Sequence, residues 1–94
     1  MAVIVRVKNG QIQEFENGVL RRTYGANMVA ASTDGNIVAA VTRNGQVHEY
    51  ITGVHIRTYG WTATAVQVSG GVVAVQTTDG RTHEYEGGTL RRSY

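Results

Sequence analysis

An all-β fold of tandem four-stranded antiparallel meanders is predicted by three observations on this 94-residue sequence. The first is a repeat. Asn9-Gly10, Glu14-Phe15, Gly18 and Arg22-Thr23-Tyr24 return as Asn44-Gly45, Glu49-Tyr50, Gly53 and Arg57-Thr58-Tyr59, then as Asp79-Gly80, Glu84-Tyr85, Gly88 and Arg92-Ser93-Tyr94, always 35 residues on. A fixed period of this size marks a supersecondary unit that buries its apolar face against copies of itself. The second is turn chemistry: Asn-Gly and Asp-Gly pairs favour two-residue hairpin loops because both residues accept positive φ, and 12 glycines accompany no proline. The third is that no window places apolar residues at i, i+3, i+4 and i+7, while β-branched residues and glycines interrupt every helical candidate.

The elements follow from the turns. Asn9-Gly10 and Asn17-Gly18 delimit strands near Ala2–Lys8, Gln11–Glu16 and Val19–Tyr24. Gly25-Ala26-Asn27 and Gly60-Trp61-Thr62-Ala63 lack a two-residue turn pattern and read as longer crossovers. Between them, Asp34-Gly35, Asn44-Gly45 and Thr52-Gly53 cut four strands out of Met28–Tyr59; Ser69-Gly70, Asp79-Gly80 and Gly87-Gly88 do the same in Ala63–Tyr94. The single domain 1–94 therefore divides into an incomplete unit 1–24, lacking its opening strand, and full units 25–59 and 60–94. Eleven strands are expected where three full units would need twelve.

Opening and second strands, such as Met28-Val29-Ala30-Ala31, Ile37–Val41, Ala65-Val66-Gln67-Val68 and Val72–Val75, are small and branched and read as interior. Third and fourth strands carry Arg, Glu, His and Thr and read as outer and partly solvated. A two-residue loop at Asn17-Gly18 sets Phe15 opposite Leu20 and Glu14 opposite Arg21. The third unit likewise sets Tyr85 opposite Leu90 and Glu84 opposite Arg91. In the second unit Glu49 faces Ile56, so the ion pair is expected in two units of three. His48 and His83 are expected opposite Arg57 and Arg92, which discourages protonation and cation binding. His55 stands alone.

A composition 41% hydrophobic and 17% charged is that of a globular chain. So short a chain buries a modest core, which points to packing and self-association for support. The absence of cysteine excludes a disulfide scaffold, thiolate metal sites and a cysteine nucleophile. The net charge of +2 is spread among glutamates, so no nucleic-acid partner is expected. The first residues lack the pattern of a signal peptide and no stretch approaches a membrane span, so a cytoplasmic protein without a membrane partner is expected.

A small apolar inner strand, a turn at Asp-Gly, a strand ending in an aromatic, a turn at Thr-Gly and then Val-His-Ile-Arg-Thr-Tyr-Gly resembles a blade of the β-propeller repeat families. The WD-repeat type is the nearest, over Asn36–Gly60 and Gly71–Tyr94 above all. The Gly-His opening and Trp-Asp dipeptide are missing, Glu49-Tyr50 and Glu84-Tyr85 lie about where that dipeptide would fall, and the period is shorter than the roughly 40–45 residues of that family. The resemblance thus implies blade architecture and no functional residue. Propellers close with about four to eight blades, so it also implies that chains associate, two chains giving a six-bladed homo-oligomeric ring with a seam at the missing strand. The alternative is a β-trefoil or a three-sided β-prism closed within one chain, against which stands the prevalence of two-residue hairpins.

A catalytic group is needed once, whereas Glu14, Glu49 and Glu84 recur in every unit and read as structural. Asp34 and Asp79 are accounted for as turn residues, and neither a Ser-His-Asp arrangement, a phosphate loop nor a metal-ligand spacing is present. The sequence therefore predicts a non-catalytic binding or scaffold module with no cofactor or metal. The candidate contact residues are Trp61, in the crossover where the first unit has Ala26, with Tyr59, Arg57, Arg22 and Arg92 from an outer band of arginines and tyrosines. Each has a structural counter-reading: Trp61 as a plug between adjacent blades, expected first, and the arginines as a charged edge that deters strand pairing. The expected partners are a second copy and a protein or carbohydrate ligand. A lectin-like propeller is the alternative function, weakened by the single tryptophan; an enzyme whose site forms between blades or chains comes third.

Overall fold

The computed structural model describes residues 3–94, so the predicted start of the first strand at Ala2 lies outside the described residues. Among the described residues, eleven strands form three antiparallel sheets, each in chain order. The first sheet is β1 (Val3–Lys8), β2 (Gln11–Glu16) and β3 (Val19–Tyr24). The second is β4 (Met28–Thr33), β5 (Val38–Thr42), β6 (Val47–Ile51) and β7 (Val54–Tyr59), and the third is β8 (Ala63–Ser69), β9 (Val72–Thr77), β10 (Thr82–Glu86) and β11 (Thr89–Ser93).

The hairpin loops follow the turn chemistry with three corrections, the first at Asp34-Gly35, where Thr33 pairs with Val38 and the loop spans the four residues 34–37, so that the strand expected from Ile37 begins at Val38. Asn17-Gly18, Thr52-Gly53 and Gly87-Gly88 are two-residue loops with both φ values positive, as is Asn9-Gly10. At Asn44-Gly45 and Asp79-Gly80 only the glycine has positive φ, and the loop gains a residue. Thr42 N donates to Gln46 O, and Gly45 N donates to Thr42 O, so Arg43-Asn44-Gly45 is a three-residue loop; Thr77, Arg81 and Gly80 repeat the pattern. The loop predicted at Ser69-Gly70 lies one residue later, at Gly70-Gly71, with Ser69 pairing Val72.

The extra loop residue matters because it moves β5 by one position relative to β1 on the repeat. Val7, paired with Ile12, corresponds to Val41, paired with Val47, rather than to Thr42. A one-residue slip exchanges the two faces of a strand. Here it aims Val7 and Val41 at the same side of their sheets.

The middle sheet buries both faces. Val38, Ala40 and Tyr50 pack with Ile12, Met28, Val5, Val7 and Tyr24 on one side. Ala39, Val41 and Val47 pack with Ala63, Val68, Val73 and Val75 on the other. Every residue of β5 is buried, and each valine there contributes about 1.5–3 kcal/mol. Sheets stacked face to face, sharing no strand among the described residues, differ from the common barrel of a trefoil and from a prism, whose sheets would each give one face to a shared centre. The burial of β6 also corrects the expectation of a solvated third strand, since Val47, Glu49 and Tyr50 are all covered by neighbouring sheets.

Backbone bonds tie each loop to the next crossover. Gly10 O accepts from Met28 N at 2.9 Å and Asn27 O from Arg43 N at 2.8 Å; Gly45 O accepts from Ala63 N at 2.9 Å and Thr62 O from Thr78 N at 3.0 Å. A side chain on Gly45 would place its Cβ 2.8 Å from Thr62 N. Asp34 adds a second tie: Oδ1 accepts from Asn36 and Ile37 N at 2.9 Å, and Oδ2 accepts from Gly71 N at 2.8 Å in the third sheet. Burial alone would raise the Asp34 pKa, but these backbone N–H groups outweigh it and hold the carboxyl below its ordinary value.

Candidate functional site

The recurring glutamate, arginine and tyrosine meet in every sheet. Between the third and fourth strands a bulge leaves one extra residue, Arg21, Ile56 or Arg91, opposite no partner. Beyond it the register pairs Glu14 with Arg22, Glu49 with Arg57 and Glu84 with Arg92. This corrects the predicted pairing with Arg21 and Arg91, and makes the ion pair invariant. The predicted Phe15–Leu20 and Tyr85–Leu90 pairs, on the loop side of the bulge, are present. For the same reason His48 and His83 face Thr58 and Ser93 rather than Arg57 and Arg92.

Each glutamate also accepts from the tyrosine two residues after its arginine. Tyr24 OH donates to Glu14, Tyr59 OH to Glu49 and Tyr94 OH to Glu84, while Arg57 Nη1 donates to Glu49 Oε1 at 2.6 Å. Burial, reinforced by the glutamate beside each ring, raises the pKa of Tyr24 and Tyr59, so both phenols remain donors. Glu49, only 1% exposed, is a buried charge whose partners satisfy it.

These groups also build the junction to the next sheet. The Arg22 Cδ lies where a Cβ on Gly53 would be 2.9 Å away, and Tyr24 packs on Tyr50 with ring centroids 4.8 Å apart. The second junction repeats it, with Arg57 Cδ 2.9 Å from where a Cβ on Gly88 would lie and Tyr59 on Tyr85 with ring centroids 4.5 Å apart. Of the five predicted contact residues, Arg22, Arg57 and Tyr59 thus lie at internal junctions, and Arg92 stays exposed with Tyr94.

Trp61, expected as a plug, is instead 79% exposed. It edges a groove of about 350 Å³ between the second crossover and the third sheet, shared with Val75, Asp79, His83, Tyr85 and Leu90. The equivalent groove beside the first crossover is lined by Ala26, Asn27, Thr42, Asn44 and His48. Inside the Trp61 groove, Asp79 Oδ1 accepts from the Thr77 hydroxyl and from Arg81 N at 3.1 Å, in that order of effect holding the carboxyl below its ordinary pKa. His83 Nδ1 lies 2.7 Å from Ser93 Oγ.

His55, expected to stand alone, stacks on His48 with centroids 4.6 Å apart. His55 pairs with Tyr50 on the loop side of the bulge, a pairing that the two-residue loop at Thr52-Gly53 already implies, and its ring lies beside that of His48. Burial first, and His55 second, hold the His48 pKa below its ordinary value. Sequence reasoning also missed Asp34 as a tie between sheets; its signal was that the third unit has Ser69 at the same repeat position.

A family model described as Helicobacter pylori IceA2 protein matches residues 1–59 and, a second time, residues 43–94. The double match follows the internal repeat. No curated protein matches the chain.

Proposed function

The chain belongs to the IceA2 family, and we propose that it is a non-catalytic binding or scaffold module working as a homo-oligomer of propeller-like blades. The observation that carries this reading is a division of labour. Charged and aromatic residues that recur in the units hold strands and sheets together, whereas Trp61, which does not recur, is the most exposed large apolar side chain among the described residues. A rigid stack that presents a loop tryptophan beside a groove suits recognition, since loops held on a scaffold carry contacts and tryptophan is a frequent anchor.

The blade reading is supported by meanders stacked face to face, with their opening strands β4 and β8 in contact. Two chains of three sheets would supply six blades, within the usual range for a closed ring. Light scattering after size exclusion tests this: a mass about twice the 10.2 kDa chain is expected. A 10.2 kDa particle at every concentration would end the oligomeric reading.

A carbohydrate ligand is the second reading, favoured by one observation: Trp61 lines a groove together with Asp79 and His83, whose polar groups can bond hydroxyls. A glycan array probed with the protein and with Trp61→Ala tests it. Binding lost in the variant supports a lectin, and no binding by either protein removes that reading while leaving the scaffold.

A further inference from the structure

We propose that copies of this chain join head to tail, the outer face of the third sheet of one copy seating on the open face of the first sheet of another as adjacent sheets seat within the chain. The proposal rests on the oligomeric reading above and names its contact. Within the chain one junction is built twice, from an Arg-x-Tyr segment on one sheet and a turn glycine with an aromatic on the next. Each end of the stack carries one unmatched half.

The leading half is Arg92 and Tyr94. Their counterparts Arg22, Tyr24, Arg57 and Tyr59 are partly covered by the following sheet, the two arginines being 35% and 36% exposed, whereas Arg92 is 69% and Tyr94 63% exposed. The receiving half is Phe15 and Gly18, at the repeat positions of Tyr50 with Gly53 and of Tyr85 with Gly88. Space beside Gly18 is open, where Gly53 and Gly88 each meet an arginine. The receiving surface is an apolar hollow of about 260 Å³ formed by Ile4, Arg6, Phe15, Asn17 and Gly18, and Ile4 there is 64% exposed. A sheet evolved only as a solvated cap would not leave that isoleucine bare.

The two faces also change character together. On the side that leads to the next sheet, Val7 with Ile12 and Val41 with Val47 become Gln76 with Thr82 in the third sheet. On the side that receives, Ala40 with His48 and Val75 with His83 become Arg6 with Gln13 in the first. Inside the chain these positions share clusters, Val7 with Ala40 and Val41 with Val75. Polar groups therefore enter both faces at positions that confront each other, and Gln76 and Thr82 offer acceptors to Arg6. In the single chain that guanidinium lies 4.8 Å over the Phe15 ring and donates to Gln13 at 2.8 Å. Matching polarity of this kind selects the partner face against random apolar contact. A head-to-tail contact is heterologous and closes into a ring when its rotation allows.

The test uses one variant from each face, Ile4→Glu and Tyr94→Ala, both at exposed positions, in sedimentation velocity with the wild-type chain. Each variant alone is expected to weaken association at least tenfold, and an equimolar mixture to regain part of it through the one intact pair of faces. Dimers of Ile4→Glu as tight as the wild type would overturn head-to-tail joining while leaving self-association standing. A wild-type chain that never associates would instead remove the oligomeric reading itself.

Discussion

The second and third sheets carry the same three groups in the same register, yet the middle set is largely covered and the arginine and tyrosine of the last are open. Glu49 is fully buried and Arg57 and Tyr59 are partly covered by the third sheet, whereas Arg92 and Tyr94 lie exposed over a largely buried Glu84. Chemistry alone therefore does not set what a repeated residue contributes. The neighbour that covers it does, because excluding water strengthens a satisfied polar cluster and makes a broken one costly.

The sharpest way to break this comparison is to remove the glutamate from each sheet under conditions where the chain is dissociated. Glu49→Ala leaves Arg57 and Tyr59 without their acceptor and is expected to cost about 3–5 kcal/mol in urea unfolding. Glu84→Ala is expected to cost about 1 kcal/mol or less. Equal losses would mean that the third sheet does not differ from the second in the way described.

The loop glycines give the next largest contrast. Gly45 and Gly80 have φ near +84° and +83°, so both substitutions to alanine incur left-handed strain of about 1–2 kcal/mol. Only Gly45 meets the following crossover, and Gly45→Ala is expected to lose about a further 1–3 kcal/mol through that clash. Similar melting temperatures for the two variants would refute the role given to the docking of loop on crossover.

Acid weakens the Asp34 tie between these sheets. The folded pKa of Asp34 is depressed, so the unfolded chain takes up its proton first as pH falls. Its contribution is complete above the unfolded value of about 3.9 and is lost as pH falls through the lower folded value. The melting temperature of Asp34→Asn should lie below the wild type at pH 7, with the gap closing as pH falls through that window. A gap independent of pH would show that charge is not what Asp34 supplies. The smallest effect belongs to Trp61→Ala, within about 0.5 kcal/mol of wild type, because the side chain packs little of its surface. A larger loss would restore the plug.

The strand count, the crossovers and the loops at Asn17, Thr52 and Gly87 were legible because glycine chemistry and apolar runs act locally. The bulges were not, since pairing outward from a loop places Arg21 opposite Glu14 and nothing local signals the extra residue. The repeat did contain the answer: arginine recurs at 22, 57 and 92 but gives way to Ile56 between 21 and 91. The longer loops were hidden for a different reason. Val38-Ala39-Ala40-Val41 is apolar on both faces, so no alternation fixes which face points where. Trp61 was found as a candidate from its lack of repetition, while its exposure depended on a crossover whose path the sequence leaves open.

The central claim, that the junction repeated inside the chain is also the contact between chains, is tested most directly by cross-linking. The native sequence has no cysteine, so Arg92→Cys and Asn17→Cys chains can be mixed and oxidised, and the linked peptides read by mass spectrometry. By analogy with Arg57 against Gly88, disulfides joining position 92 of one copy to position 17 of another are expected to dominate. Links only between like positions, or none, would contradict it.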